Sequence, residues 1–316
     1  MDNLTHSLVG ALLGQMGLKR KTGLAMPALI IAANIPDIDA VATLLGGHQH
    51  LAIRRGITHG PIAMVLLPLL LWAAMLWFDA WQTKRGKRPD KRLPIHKGWL
   101  LGLAYIGCLS HPLFDWFNSY GIRLLEPFSS QWFYGDTIFI IDIWLWIALI
   151  AGVSMSLRRE RQRAPNWRVP AVASFAAICA YIFANGLITG RAEQLTADAV
   201  KQKHDIIPSL IVANPVPVQF WKREMLWRDG TSYGQGTYSA SSGVIVDDNI
   251  GLHKMKGAQT KALVSSDVDG SAFLFWSRMP VVQTADKEMN ISDQRFGNPM
   301  VSDRFTVSVP LKGKGE

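Results

Sequence analysis

The chain has 316 residues, of which 49% are hydrophobic and 18% charged, with twelve Trp, two Cys and a formal net charge of +9. That length leaves room for two domains, and the two cysteines, Cys108 and Cys179, both lie inside apolar stretches. They read as small core residues and exclude a disulfide framework. The positive surplus is confined to two short loops, so no nucleic-acid partner is expected.

The first 190 residues hold the long apolar runs. LTHSLVGALLGQMGL (4–18) and LAMPALIIAANIPDIDAVATLL (24–45) come first, both interrupted by polar groups. Four longer runs follow: PIAMVLLPLLLWAAMLWFDAW (61–81), GWLLGLAYIGCLSHPLFDWF (98–117), TIFIIDIWLWIALIAGVSM (137–155) and VPAVASFAAICAYIFANGLITG (169–190). Each is about 18 to 22 residues long, enough to cross a bilayer. The expectation over 1–190 is an α-helical integral membrane domain with five to six membrane-embedded helices. Asp2 stands where a signal peptide would be basic, and no cleavage site is evident. Gly10-x-x-x-Gly14 and Gly98-x-x-x-Gly102 are spaced to let helices approach closely.

From residue 191 the pattern changes. AEQLTADAVKQKH (192–204) reads as a short polar helix leading away from the membrane. QFWKREMLW, TSYGQGTYSA, GVIVDD, AFLFWS, PVVQT and RFTVSVP are short alternating runs, and Arg228-Asp229-Gly230 between two of them is a hairpin signal. Residues 191–316 are therefore expected to form a small antiparallel β-rich domain, with His204 and His253 isolated on its surface and KGKGE as a frayed tail. That domain could cover the membrane site, present substrate or bind an envelope protein partner.

Loop 82–97 holds seven Lys/Arg against one Asp, and loop 157–168 holds five Arg against one Glu. Such loops stay in the cytoplasm. With both fixed inside, the C-terminal domain is extracytoplasmic. His6, Asp37, Asp39, His59, His111, Asp115 and Asp136 then fall at one depth, towards the outer face. Each has an ordinary reading alone, as a helix start, a cap after Pro36 or a helix end before Pro112. Gathered in apolar surroundings they are costly unless paired, metal-bound or wetted. Imidazole and carboxylate suit Zn²⁺, with Mn²⁺ the alternative, and such an ion makes hydroxide available near neutral pH. Asp142 reads as a partner standing behind the ligands.

DNLTHSLVG, NIPDID, RGITHGP, SHPLFDWFNSYG and EPFSSQWFYGDTIFIIDIW occur in that order over residues 1 to 155. This series resembles the YdjM family of bacterial inner-membrane proteins, described as membrane-bound metal-dependent hydrolases. The family is in turn distantly similar to zinc-dependent phospholipase C and the P1-type nucleases. The resemblance implies a ligand order of His6, Asp37 or Asp39, His59, His111 and Asp115. Asp37 or Asp39 would bridge two metals or help activate water, and Asp115 would be a second bridge, which makes Asp37, Asp39 and Asp115 the candidate catalytic groups. The later histidines of the secreted enzymes are missing, so one or two ions are expected rather than three. The N-terminal amine that those enzymes use as a ligand is not expected here. Arg54, Arg55 and Arg123 are the candidates for binding a substrate phosphate. The leading expectation is hydrolysis of a phosphoester in a lipid or lipid-linked substrate, at the outer leaflet of the bacterial inner membrane. A proton- or ion-coupled transporter and an envelope sensor with a structural metal are the alternatives. A transporter needs polar groups continuing to the cytoplasmic side, where only Asp79 and His96 stand.

Overall fold

The computed structural model describes residues 1–252, 264–285, 288–297 and 302–310. The chain divides into two compact units, one built from Met1–Asp39 and Arg55–Gly186, the other from Ala40–Arg54 and Leu187–Glu316.

The helices are α1 (Asn3–Gln15), α2 (Ala25–Ala32), α3 (Gln49–Ile53), α4 (Pro61–Lys84), α5 (Lys97–Trp116), α6 (Ile143–Arg161) and α7 (Val169–His204). All but α3 contribute to the first unit. Their starts follow local chemistry. Asp2 caps α1 by accepting from the Thr5 amide and hydroxyl, at 3.0 and 2.6 Å. Asp142 caps α6 by accepting from the Leu145 amide at 2.9 Å, and also takes the Tyr181 hydroxyl at 2.9 Å. The helix expected from 137 thus begins only at Ile143, with Asp142 as its cap. The run 24–45 is bent by 42° between α2 and a 3-10 segment, Ile35–Leu45. Pro36 sits just after the bend, and Asn34 Nδ2 holds the corner by donating to Ile30 O (2.8 Å) and Ser7 Oγ (3.0 Å).

Close approach of backbones determines where α1 and α5 meet α2. A Cβ on Gly10 would lie 2.8 Å from the Leu29 carbonyl oxygen, and a Cβ on Gly107 would lie 2.8 Å from the same atom. Both helices therefore pass over one turn of α2, and only glycine allows it. His6 is one turn before Gly10 and His111 one turn after Gly107, so this crossing brings the two imidazoles together. Gly102, by contrast, faces open space. One apolar cluster includes Val9, Leu12, Phe114, Ile138, Leu145, Leu149 and Ile178. A second joins Ala28, Ala32, Met64, Leu71, Leu100, Ala104 and Cys108.

Among the described residues, α4 and α7 are long and apolar enough to cross a membrane, and α2 with its 3-10 continuation makes a third if the bent pair is one span. The count of five to six is not supported, for three reasons. The 13 residues of α1 reach only about 20 Å at 1.5 Å per residue. Helix α5 carries His111 and Asp115, and α6 ends in Arg158, Arg159 and Arg161. Leu66, Leu70 and Trp77 of α4 are exposed, as lipid-facing residues are.

The second unit contains α3, the later part of α7, α8 (Val268–Trp276) and two antiparallel sheets. The first sheet has the order β1 (Leu210–Pro215), β2 (Lys222–Arg228), β3 (Ser232–Ser239) and β4 (Gly243–Val246), with β5 (Gly251–Leu252) also on β3. The second has the order β6 (Pro280–Ala285), β7 (Glu288–Asp293) and β8 (Thr306–Pro310). The β2–β3 turn is where Asp229-Gly230 placed it, with Asp229 Oδ1 accepting from the Thr231 and Ser232 amides at 2.6 and 2.5 Å. Two readings change. AFLFW of that run is helical, within α8, with Asp267 capping the helix by accepting from the Gly270 amide at 2.7 Å and Ser277 ending it. Residues 192–204 are the continuation of α7, a single helix of 36 residues. His204 is half-buried, with Nε2 3.0 Å from Asp247 O. His253 and the KGKGE tail lie outside the described residues.

Candidate metal centre

Four side chains of the first unit offer ligand atoms that all lie within 4.8 Å of one another: Asp37, His59, His111 and Asp115, every one buried. They come from three places. Asp37 follows the bend after α2, His59 ends the 3-10 turn Ile57–His59, and His111 and Asp115 are one turn apart on α5.

The outward-facing nitrogens of the two imidazoles are engaged. His111 Nδ1 lies 2.7 Å from Ala33 O, to which only an N–H can donate. His59 Nδ1 lies 2.9 Å from Thr58 Oγ1 and 3.4 Å from Asp39 Oδ2. In neutral rings these partners assign the N–H to Nδ1 in both, leaving each Nε2 as a lone pair. The two Nε2 atoms are 3.1 Å apart. Asp115 Oδ2 stands 3.6 Å from His59 Nε2 and 3.5 Å from His111 Nε2, and Asp37 Oδ1 stands 3.7 Å from His111 Nε2. Converging acceptors repel unless a cation lies among them. Ligands about 2.05 Å from a tetrahedral ion are about 3.3 Å apart, close to the spacings among the two imidazoles and Asp115, while the whole group of four reaches 4.8 Å across and could hold a metal ion.

Other expected residues surround this group. His6 stacks on His111 with ring centroids 3.8 Å apart, and its Nε2 is 3.3 Å from Asp115 Oδ1. That buried nitrogen has no hydrogen-bond partner among the described residues. Asp115 therefore turns one oxygen to His59 and His111 and the other to His6. Asp39 lies against the far nitrogen of His59 rather than beside the converging atoms. Its Oδ2 also accepts from the Thr58 hydroxyl (2.9 Å) and the Arg55 amide (2.7 Å). Asp136 is buried with a left-handed φ of 47° and stands outside the group of four.

The arginines differ from expectation in a definite way. Arg55 is buried, and it grips Asp115 with both arms: Nε to Oδ2 at 2.9 Å and Nη2 to Oδ1 at 3.1 Å. Its Nη1 donates to Asn118 Oδ1 (3.0 Å) and Gly121 O (3.2 Å), and its guanidinium lies over Tyr120. A left-handed φ of 53° turns this side chain inward. Arg123 pairs with Glu126 at 3.2 Å, packs over Trp132, and donates its amide to Arg55 O. Arg54 is the half-buried C-cap of α3, in the second unit.

Three participants escaped the sequence reading. The amine of Met1 lies against Asp115, where no N-terminal amine was expected. Asn118 and Thr58 support Arg55 and His59. Their signal was position, since Asn118 is three residues after Asp115 and Thr58 adjoins His59.

A helical membrane protein with a buried His/Asp centre is the class that this fold and site define. The model of the YdjM inner membrane protein family matches residues 1–192, and the chain belongs to that family. Among curated proteins, YfhP of Bacillus subtilis (strain 168), itself uncharacterized, is 26% identical over 163 residues. That match covers 49% of this chain and 46% of YfhP, so it spans about half of each. No solved structure matches the chain.

Proposed function

We propose that this chain is a metal-dependent hydrolase of the inner membrane that cleaves the phosphoester of a lipid or lipid-linked substrate at the outer leaflet. The observation that carries this reading is the convergence of two imidazole lone pairs and two carboxylates in a buried pocket. Zn²⁺ is the best-suited ion, in one or two positions, with Mn²⁺ the alternative. When bound, such an ion lowers the pKa of water and draws charge from a phosphoryl oxygen.

Asp37, His59, His111 and Asp115 hold the ion. Asp39 and Ala33 O keep the imidazoles facing it, and Arg55 fixes the Asp115 carboxylate. His6 contributes a further nitrogen at the edge of the group. Asp37 also borders a surface cavity of about 420 Å³ that is lined by Ile30, Ile31, Ile35 and Ile38 together with Asn3 and Asn34. An apolar groove ending at a ligand carboxylate suits an acyl or isoprenoid chain whose phosphate reaches the ion. Arg55 pairs with Asp115 and Arg123 with Glu126, so both arginines hold a carboxylate of the protein itself. The C-terminal domain is proposed to lie outside the membrane, available to an envelope partner.

The test is elemental analysis of detergent-purified protein, wild type beside His111→Ala, followed by phosphoester release from phospholipid. One or two zinc or manganese ions per chain, lost in the variant, together with chelator-sensitive hydrolysis, is the expected result. A wild type that neither carries nor takes up metal would overturn the centre. Bound metal without hydrolysis across lipid phosphoesters would overturn the reaction and leave a structural ion.

A further inference from the structure

Beyond the C-terminal end of α1, the first unit holds a second polar feature that the His/Asp centre does not use. A cavity of about 570 Å³ is lined by Arg20, Glu160, Arg163, Trp167 and Arg168, with Ala164 to Asn166 and Val169. Arg20 belongs to the 3-10 turn Leu18–Arg20, Glu160 to the last turn of α6, and the others to the connection into α7.

Its cations lie along one aromatic ring, with Arg20 and Arg168 still reaching solvent. The buried ring of Trp167 has Arg20 at 4.5 Å, Lys19 at 4.9 Å and Arg168 at 5.2 Å from its centroid. Gly17, at a left-handed φ of 117°, makes room for Arg168, because a Cβ there would stand 3.0 Å from Arg168 Nε. Glu160, the single carboxylate among the lining residues, is already paired with Lys19 and, at 3.4 Å, with Arg20. Lys19, Arg20, Arg163 and Arg168 are thus gathered about one occupied carboxylate, an arrangement that repels itself until an anion enters. Retaining a loop in the cytoplasm requires positive charge, but it requires neither a cavity nor an aromatic floor under the charges.

We propose that this cavity binds the phosphate of an anionic phospholipid headgroup in the cytoplasmic leaflet. Planar guanidinium groups match phosphate oxygens, and basic pockets at the cytoplasmic ends of membrane helices take such headgroups. The cavity opens where the membrane-crossing helix α7 begins, the depth at which headgroups lie.

The experiment is native mass spectrometry of the detergent-purified full chain, titrated with phosphatidylglycerol or with phosphatidylcholine of the same acyl chains. Wild type is expected to retain phosphatidylglycerol about tenfold more tightly. Arg20→Gln with Arg168→Gln abolishes the preference, whereas Lys84→Gln with Lys87→Gln, the same charge removed from exposed positions elsewhere, leaves it intact. Arg163→Gln, at a lining residue without a contact to the Trp167 ring, gives a partial loss and guards against misfolding of the double variant. No preference in wild type, or equal loss in both double variants, would overturn the site. A third arm adds inorganic phosphate at the lipid's concentration. Persistence of bound lipid supports a headgroup site, and complete displacement would overturn the lipid assignment in favour of a free-anion site.

Discussion

Asp115 in the helical unit and Asp293 in the β-rich unit are both fully buried, and each is gripped by a guanidinium, Arg55 in the first and Arg295 in the second. Around Asp293 the hydrogen-bond partners among the described residues are donors. Ser277 Oγ is at 2.5 Å, the Arg278 and Met279 amides at 3.0 and 3.1 Å, and Arg295 gives its amide, Nε and Nη2 at 2.8–2.9 Å. Burial alone would raise that carboxyl, but Arg295 and these donors hold it below the usual carboxylate range. Around Asp115 the donors of Arg55 and the Met1 amine are joined by the Nε2 atoms of His59 and His111, which the Nδ1 partners leave as acceptors. A buried charge surrounded by donors is complete and serves the fold. A buried charge that shares its space with other lone pairs belongs to a group that could hold a metal ion.

The contrast breaks most decisively at Arg295. Arg295→Met leaves Asp293 buried without its counter-charge, which costs about 3–5 kcal/mol, whereas the double replacement Asp293→Leu with Arg295→Met recovers most of the loss. Heat unfolding of the full chain reads both. A single variant as stable as wild type would show that Asp293 is not a structural keystone. Bound metal per folded chain should be unchanged in either.

At the other centre the readout reverses. His111→Ala and Asp115→Ala should weaken metal binding by more than about a hundredfold, beyond what losing a supporting partner does, while the helices remain folded. Competition with a chelating dye measures this. Unchanged affinity in both variants would remove these residues from the ligand set.

Part of this centre could be read from the sequence: Asp37, His59, His111 and Asp115 stood out as ionisable groups in or beside apolar runs, and the structure brings these four together. The His111–Asp115 spacing needed only a helix. The role of Arg55 could not be read, since a left-handed turn before Gly56 sends its side chain inward rather than towards a substrate. The place of Asp39 was equally hidden. Two residues from Asp37, it falls on the far side of His59, a distinction that a D-x-D spacing does not contain. In the fold, the span count was overread because apolarity was judged by length while Arg158, Arg159 and Arg161 were assigned to a loop. AFLFWS was read as a strand because Asp267, a cap one residue before α8, went unnoticed.

A smaller effect separates ligand from support. Asp39→Asn keeps the shape but weakens the acceptor at His59 Nδ1, so metal affinity should fall about tenfold to a hundredfold, less than for His111→Ala. Arg55→Lys keeps the charge but loses the two-armed grip on Asp115, and should fall in the same range. If Asp39→Asn matched the ligand deletions, Asp39 would be a ligand itself.

The smallest effect is in the pH dependence, and it isolates Asp293. Its folded pKa lies below its unfolded value of about 3.9. Its contribution is therefore fully present well above pH 4 and is lost as the pH falls through the unfolded value towards the folded one, by at most about 1.4 kcal/mol per pH unit. The Asp293→Leu with Arg295→Met chain lacks this carboxyl. The stability difference between it and wild type should be flat from pH 7 to 5 and should shift against wild type below pH 4. Other carboxylates titrate in the same range, but they are common to both chains and cancel in the difference. A difference that stays flat to pH 3 would mean that Asp293 titrates alike folded and unfolded, and that its ring of donors does not favour the charge it encloses.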